Sequence, residues 1–286
     1  MKRIAIFILL IFFPSSAAVI DISAAEQPRP VKAGIVADVT AVKPGVPFEV
    51  GVLFDLDPHW HIYWKNPGDS GLPTSVVFSL PQGFTATDLG WPVPTLLKGA
   101  GNLTDYGYED SLLLSAGVTP PPDLKPGAVA KITARVSWVS CKDICIPGRA
   151  ELELELPVSK STENANNELF SEWRARLPVN RSGNKPPFEI DLKTAARGEN
   201  EYSVVILLDP EDSVNDIGLY PVPGDSFVVS DIEAGTDEGS GKSSLVFNVR
   251  ALASRGSPGN ELETLIVYTD KSGKRSGYEF PVALSH

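Results

Sequence analysis

Between residues 130 and 157 the chain alternates apolar and polar side chains with a period of two. Ile132, Ala134, Val136 and Trp138 alternate with Lys131, Thr133, Arg135 and Ser137; further on, Leu152, Leu154 and Leu156 alternate with Glu151, Glu153 and Glu155. Successive side chains of an extended chain point to opposite faces, so the pattern predicts two half-buried antiparallel strands, Val129 to Val139 and Ala150 to Val158. Gly34 to Val42, Phe48 to Leu56, the run HWHIYW from His59 to Trp64, Val76 to Leu80 and Leu112 to Val118 continue the series. A "KPGVP" turn joins the first two. Short strands at this rhythm, with no strand-helix-strand alternation, predict an all-β chain built on immunoglobulin-like β-sandwiches.

The pattern breaks at Ser159 to Asn167, "SKSTENANN", which is polar and aperiodic and reads as a linker. Leu169, Phe170, Trp173 and Leu177 then fall on one helical stripe, predicting a short helix over Glu168 to Leu177 with Asn167 as N-cap and Pro178 as stop, packed between two domains. Strand-like runs resume near Phe188 with YSVVILLD, DSFVVSDI, SSLVFNVRAL, ETLIVYTD and GYEFPVAL. The expected organisation is a first β-sandwich over residues 31–158, a linker with its helix over 159–184, and a second, cysteine-free β-sandwich over 185–286. The 25 prolines and 24 glycines punctuating short apolar stretches agree with a β-rich chain.

The first residues carry a different message. A basic start, an apolar run from Ile4 to Phe13 and then small residues form a secretory signal, expected to be cleaved after Ala25. That run is too short to span ~30 Å of hydrocarbon, and nothing downstream supplies the ~20 apolar residues a membrane helix needs, so stable membrane insertion is not expected. Removing residues 1–25 leaves 23 basic and 35 acidic side chains. Such acidity argues against nucleic acid or an anionic membrane surface as partner. An exported chain also enters a compartment where disulfides persist.

That compartment gives weight to "WVSCKDICIPG", which holds both cysteines, Cys141 and Cys145. Four extended residues separate Cα atoms by ~13 Å, whereas a disulfide needs them within ~7 Å, so Lys142, Asp143 and Ile144 must turn. Closing so small a loop removes roughly 2 kcal/mol of unfolded-state entropy, against about 4 kcal/mol for a bridge spanning some sixty residues. The pair is a poor choice for a staple. Two thiolates supply half of a tetrahedral metal site, with no second CxxC and no nearby histidine in sequence to complete it. Thiol-disulfide exchange needs an accessible thiolate, which Lys142 and Arg149 favour and Asp143 opposes. An inert local bridge, a metal site and an exchange pair all remain open on spacing alone.

Four ordered stretches carry a resemblance. "HWHIYWKNPGDSGLPT" (His59 to Thr74), "WPVP" (Trp91 to Pro94), "DYGYED" (Asp105 to Asp110) and "VSWVSCKDICIPGRAELELELP" (Val136 to Pro157) together resemble the amino-terminal periplasmic domain of DsbD-type thiol:disulfide interchange proteins. The similarity is closest to the branch called suppressor of copper sensitivity protein B and covers roughly Val31 to Val158. The resemblance implies an immunoglobulin-like domain that passes reducing equivalents without any bound cofactor. Its partners would be a thioredoxin-like periplasmic oxidoreductase and a separately encoded membrane electron carrier. By position, Cys145 matches the sulfur that forms mixed disulfides and Cys141 the resolving sulfur. A loop that caps the pair in the family matches "GNLTDYGYED", making Leu103, Tyr106 and Tyr108 candidate covers or partner contacts. The cysteines are spaced more closely than in better-known DsbD proteins. The alternative is a noncatalytic binding module, possibly linked to copper stress, in which the bridge only stiffens a hairpin.

Other clusters add little. His59, His61 and Tyr63 are expected on one strand face, and two imidazoles two residues apart are a fragment of a metal site with no third ligand evident, so packing is the simpler reading and no metal is assigned. "NPGDSGLP" holds Ser70 without a G-x-S-x-G frame and reads as a turn cluster. "KGAGNLT" lacks the surrounding βαβ unit of a dinucleotide site.

Overall fold

The computed structural model describes residues 29–98, 103–210, 214–252 and 261–284. The signal sequence expected over residues 1–25 lies outside them. The first part of the chain forms β1 (Val31–Ala37), β2 (Phe48–Leu56), β3 (His61–Gly68), β4 (Ser75–Ser79), β5 (Thr85–Ala86), β6 (Thr95–Lys98), β7 (Thr104–Glu109), β8 (Ser111–Thr119), β9 (Val129–Cys141) and β10 (Cys145–Pro157). One sheet has the order β1-β2-β8-β5; the facing one has the order β10-β9-β3-β7-β6, with β4 also paired to β9. The alternation along β9 works as expected, with Ile132, Ala134, Val136 and Trp138 all buried. Between the sheets, Val52, Phe54, Leu112 and Leu114 meet Ile62, Trp64, Ala134 and Val136.

After β10 comes the helix α1 (Asn167–Arg174), which starts one residue earlier and stops sooner than the periodicity predicts. Its N-cap is Asn166, not Asn167, in a left-handed conformation without a side-chain cap bond. The Asn166 amide instead donates to the Ala37 carbonyl at 2.9 Å, a tertiary bond invisible to a local capping rule. Phe170 and Trp173 sink into the core of the first sandwich, and Arg174 lies 3.7 Å from Glu49 of β2. The polar linker before α1 is anchored too: Thr40 N donates to Glu163 O and Ala165 N to Asp38 O. Backbone bonding, which polarity does not reveal, lays this segment along the chain between β1 and β2.

The rest forms β11 (Phe188–Gly198), β12 (Glu201–Pro210), β13 (Val214–Val222), β14 (Phe227–Thr236), β15 (Ser243–Ala251), β16 (Glu261–Asp270) and β17 (Arg275–Ala283). The sheets β11-β12-β15-β14 and β13-β16-β17 enclose Val204, Ile206, Leu208, Leu245, Phe247 and Ile266. The fold is therefore all-β and immunoglobulin-like, with one short α-helix among the described residues. Tyr220, Leu265 and Val267 of the second sandwich join the core cluster of the first. At this seam Asn66 Nδ2 donates to Pro221 O at 2.7 Å, and the Tyr106 and Tyr220 rings lie 4.5 Å apart.

Candidate functional site

In the hairpin, β9 runs two residues further and β10 starts five residues earlier than the apolar alternation predicts, so that it ends on its cysteines. Cys141 and Cys145 are the last register partners, with Cα atoms 4.1 Å apart and an S–S bond of 2.06 Å. Lys142, Asp143 and Ile144 make the turn, closed by a bond from Lys142 N to Ile144 O at 3.1 Å. The sulfurs are unequal: Cys141 is 3% exposed, whereas Cys145 faces solvent beside Ile144, itself 60% exposed.

Neighbouring strands extend this pair into a row. His61 of β3 is the register partner of Cys141 on one side and of Glu109 of β7 on the other. Directly paired residues share a sheet face, so Glu109, His61, Cys141 and Cys145 line one face across four strands. Burial pushes the His61 imidazole below its usual pKa, while Asp105 and Glu109 pull it partly back. His59 does not join the row. It precedes β3 with a φ of 71°, exposed to solvent, so the expected single face of His59, His61 and Tyr63 reduces to the last two. Among the described residues, no group of three or more His, Cys, Asp or Glu side chains is placed to hold a metal ion.

Tyr63 is the residue in contact with the buried sulfur. Its hydroxyl donates to Cys141 Sγ at 3.1 Å, its side chain is 2% exposed, and its ring meets His61 edge-on at 5.2 Å. Burial raises the phenol pKa; the Ser70 side chain, in hydrogen-bonding reach, lowers it again, and Asp105 raises it. Ser70 itself is fixed by Asp105, a carboxylate only 4% exposed: Ser70 N donates to Oδ1 at 2.8 Å and Ser70 Oγ to Oδ2 at 2.5 Å.

The turn cluster "NPGDSGLP" thus stands behind the buried sulfur, and its glycines explain how. A Cβ at Gly68, where φ is +91°, would lie 2.2 Å from the Thr104 carbonyl oxygen; one at Gly71, where φ is +75°, would lie 2.3 Å from the Tyr63 ring. Only glycine permits both the left-handed turns and the close approach. Asp69 adds two bonds to β7, from its N–H to Thr104 O and from Thr104 N to its Oδ2.

The candidate covers are placed differently from one another. Leu103 is 42% exposed. Tyr106 is buried against Tyr220 and Trp64, and its phenol pKa is pushed up to about 12, chiefly by burial. Tyr108 is buried and donates to Pro92 O at 2.7 Å. Both tyrosines sit on β7, a strand where the resemblance implies a capping loop. No local pattern in the sequence marks Ser70 or Asp105 as neighbours of the cysteines. The available signal was the i, i+2 spacing of His61 and Tyr63, which places the phenol on the same face as the imidazole.

The first sandwich is thus an immunoglobulin-like β-domain whose half-exposed disulfide closes a hairpin. Residues 27–157 match the family model described as thiol:disulfide interchange protein DsbD, N-terminal. Among solved structures, the N-terminal periplasmic domain of ScsB from Proteus mirabilis superposes with a TM-score of 0.60 at 14% identity, over 92% of this chain and 97% of that one. At that identity the likeness speaks for the fold, and it extends over both sandwiches. The reduced DsbD n-terminal domain of Neisseria meningitidis matches at 9% identity over 46% of this chain and 90% of that one, with a TM-score of 0.27. Among curated proteins no relative matches.

Proposed function

We propose that this chain is a periplasmic thiol-disulfide exchange protein, exported by a cleaved signal peptide, that acts through Cys141 and Cys145 without a bound cofactor. The observation that carries this reading is the inequality of the two sulfurs, one sealed at 3% exposure and the other facing solvent. A partner thiolate attacks Cys145 Sγ, the Cys141–Cys145 bond breaks, and its electron pair leaves with Cys141, which takes up a proton. A second thiolate from the partner then releases Cys145, leaving the dithiol here and a disulfide in the partner. Run in reverse, the Cys141 thiolate resolves the mixed disulfide on Cys145 and leaves the client reduced. The family model matched by residues 27–157 supports a thioredoxin-like oxidoreductase as partner, with a membrane electron carrier as the second party. Among the described residues, no helix is long and apolar enough to cross a membrane.

The test is trapping. In periplasmic extract, Cys141→Ser protein is expected to accumulate covalent, reductant-sensitive adducts through Cys145, and Cys145→Ser protein to accumulate few. Absence of adducts from both variants, together with a disulfide that resists dithiols down to about −300 mV, would return the bridge to a purely structural role.

A further inference from the structure

Cys141 is 3% exposed, so a side chain that touches its sulfur is placed to take part when it gains or loses a proton during exchange. The charged and titratable groups around it are His61 from β3, Asp105 and Glu109 from β7, and Lys142 and Asp143 from the connecting turn. The hydrogen bond to the sulfur comes from Tyr63, and behind it stand Ser70 and the buried Asp105. The three side chains come from β3, the following loop and β7, and Gly68 and Gly71 let that loop close over the phenol.

Resting on the exchange reading, we propose that Tyr63 is a catalytic residue for the resolving sulfur and that Ser70 and Asp105 are its positioning residues. With the disulfide reduced, the chain becomes directional: the Cys141 S–H points to Tyr63 Oη, the Tyr63 O–H to Ser70 Oγ, and the Ser70 O–H to Asp105 Oδ2. A shift of one proton along each link leaves a thiolate on Cys141 and a protonated Asp105. Tyr63, now carrying the former thiol proton, donates it back as a hydrogen bond to the thiolate. That thiolate attacks Cys145 Sγ of a mixed disulfide, the intramolecular S–S bond forms, and the expelled thiolate leaves with the electron pair of the broken bond. Asp105 then returns its proton to solvent. A hydrogen bond to a charged group is stronger than one to a neutral group, so the phenol favours the state in which sulfur attacks.

The test uses the reduced full-length mature protein and an aryl disulfide, 5,5′-dithiobis(2-nitrobenzoate). Attack by Cys145 releases one coloured thiolate, and resolution by Cys141 releases a second. Tyr63→Phe is expected to slow the second release about tenfold, the worth of one hydrogen bond to a charged group, and to move its pH midpoint upward while leaving the first unchanged. Ser70→Ala is expected to shift both in the same direction by less, and Ser70→Thr to restore them. Asp105→Asn should also slow the second release. If that variant instead speeds it, the carboxylate acts through its charge alone and the positioning role is overturned. Tyr63→Phe and Ser70→Ala each remove one hydroxyl and keep the carbon skeleton, so they decide the question whether or not Asp105→Asn folds. A second release identical in wild type and Tyr63→Phe overturns the assignment of Tyr63. No first release from wild-type protein sinks the exchange reading itself, a separate outcome.

Discussion

Gly148 of β10 and Trp138 of β9 are register partners, and a methyl group at position 148 would lie 2.2 Å from the indole. The ring cannot withdraw easily, being 9% exposed and edge-packed on Phe54 at 5.6 Å. Gly148→Ala is therefore expected to cost about 1–3 kcal/mol through overpacking. The reading is a lower urea midpoint at unchanged slope. An unshifted midpoint would mean that the indole moves aside freely and that the hairpin is not pinned at this pair.

His61 sets an acid limit on the site. Its folded-state pKa lies below the usual 6.5 because burial penalises the imidazolium. As pH falls through 6.5 the unfolded chain therefore binds more protons than the folded one. Stability declines from there until the depressed folded-state pKa is passed, below which this contribution is fully lost. Melting temperatures measured across the weakly acidic range should show this decline in wild type and a flatter course in His61→Gln. Equal slopes in both would place the acid sensitivity on other groups.

The seam between the sandwiches depends on Tyr220. It is 7% exposed, stacks beside Tyr106 and accepts a hydrogen bond from Arg275 at 2.8 Å. Tyr220→Ala is expected to remove about 3 kcal/mol, the usual cost of truncating a buried aromatic. If the sandwiches support each other there, urea unfolding followed by far-ultraviolet circular dichroism, which reports on both, should divide into two transitions in the variant. One transition at the wild-type midpoint would show that the seam contributes little.

Where one strand pairs with the next in sequence, the pattern was legible. The alternation from Ala130 to Trp138 and from Leu152 to Leu156 located the hairpin, because a period of two depends only on which face is buried. The cysteines followed from it, and their spacing required the turn that joins them. What stayed hidden depends on partners far apart in the chain. Tyr63 meets Cys141 across 78 residues and Ser70 meets Asp105 across 35, and neither pairing leaves a local trace. The resemblance puts "DYGYED" in a capping loop, yet pairing with β3 and β6 makes it β7. Gly107 sits in that strand because a Cβ there would lie 2.4 Å from the Ile62 carbonyl oxygen, a reason written in β3 rather than in its own neighbours.

Asp105 and Tyr106 are consecutive on β7, and consecutive residues of a strand face opposite ways. One carboxylate steadies the wall behind the inner sulfur while the adjoining ring is clasped by the C-terminal half of the molecule. A single peptide unit therefore joins the surroundings of the inner sulfur to the cysteine-free sandwich.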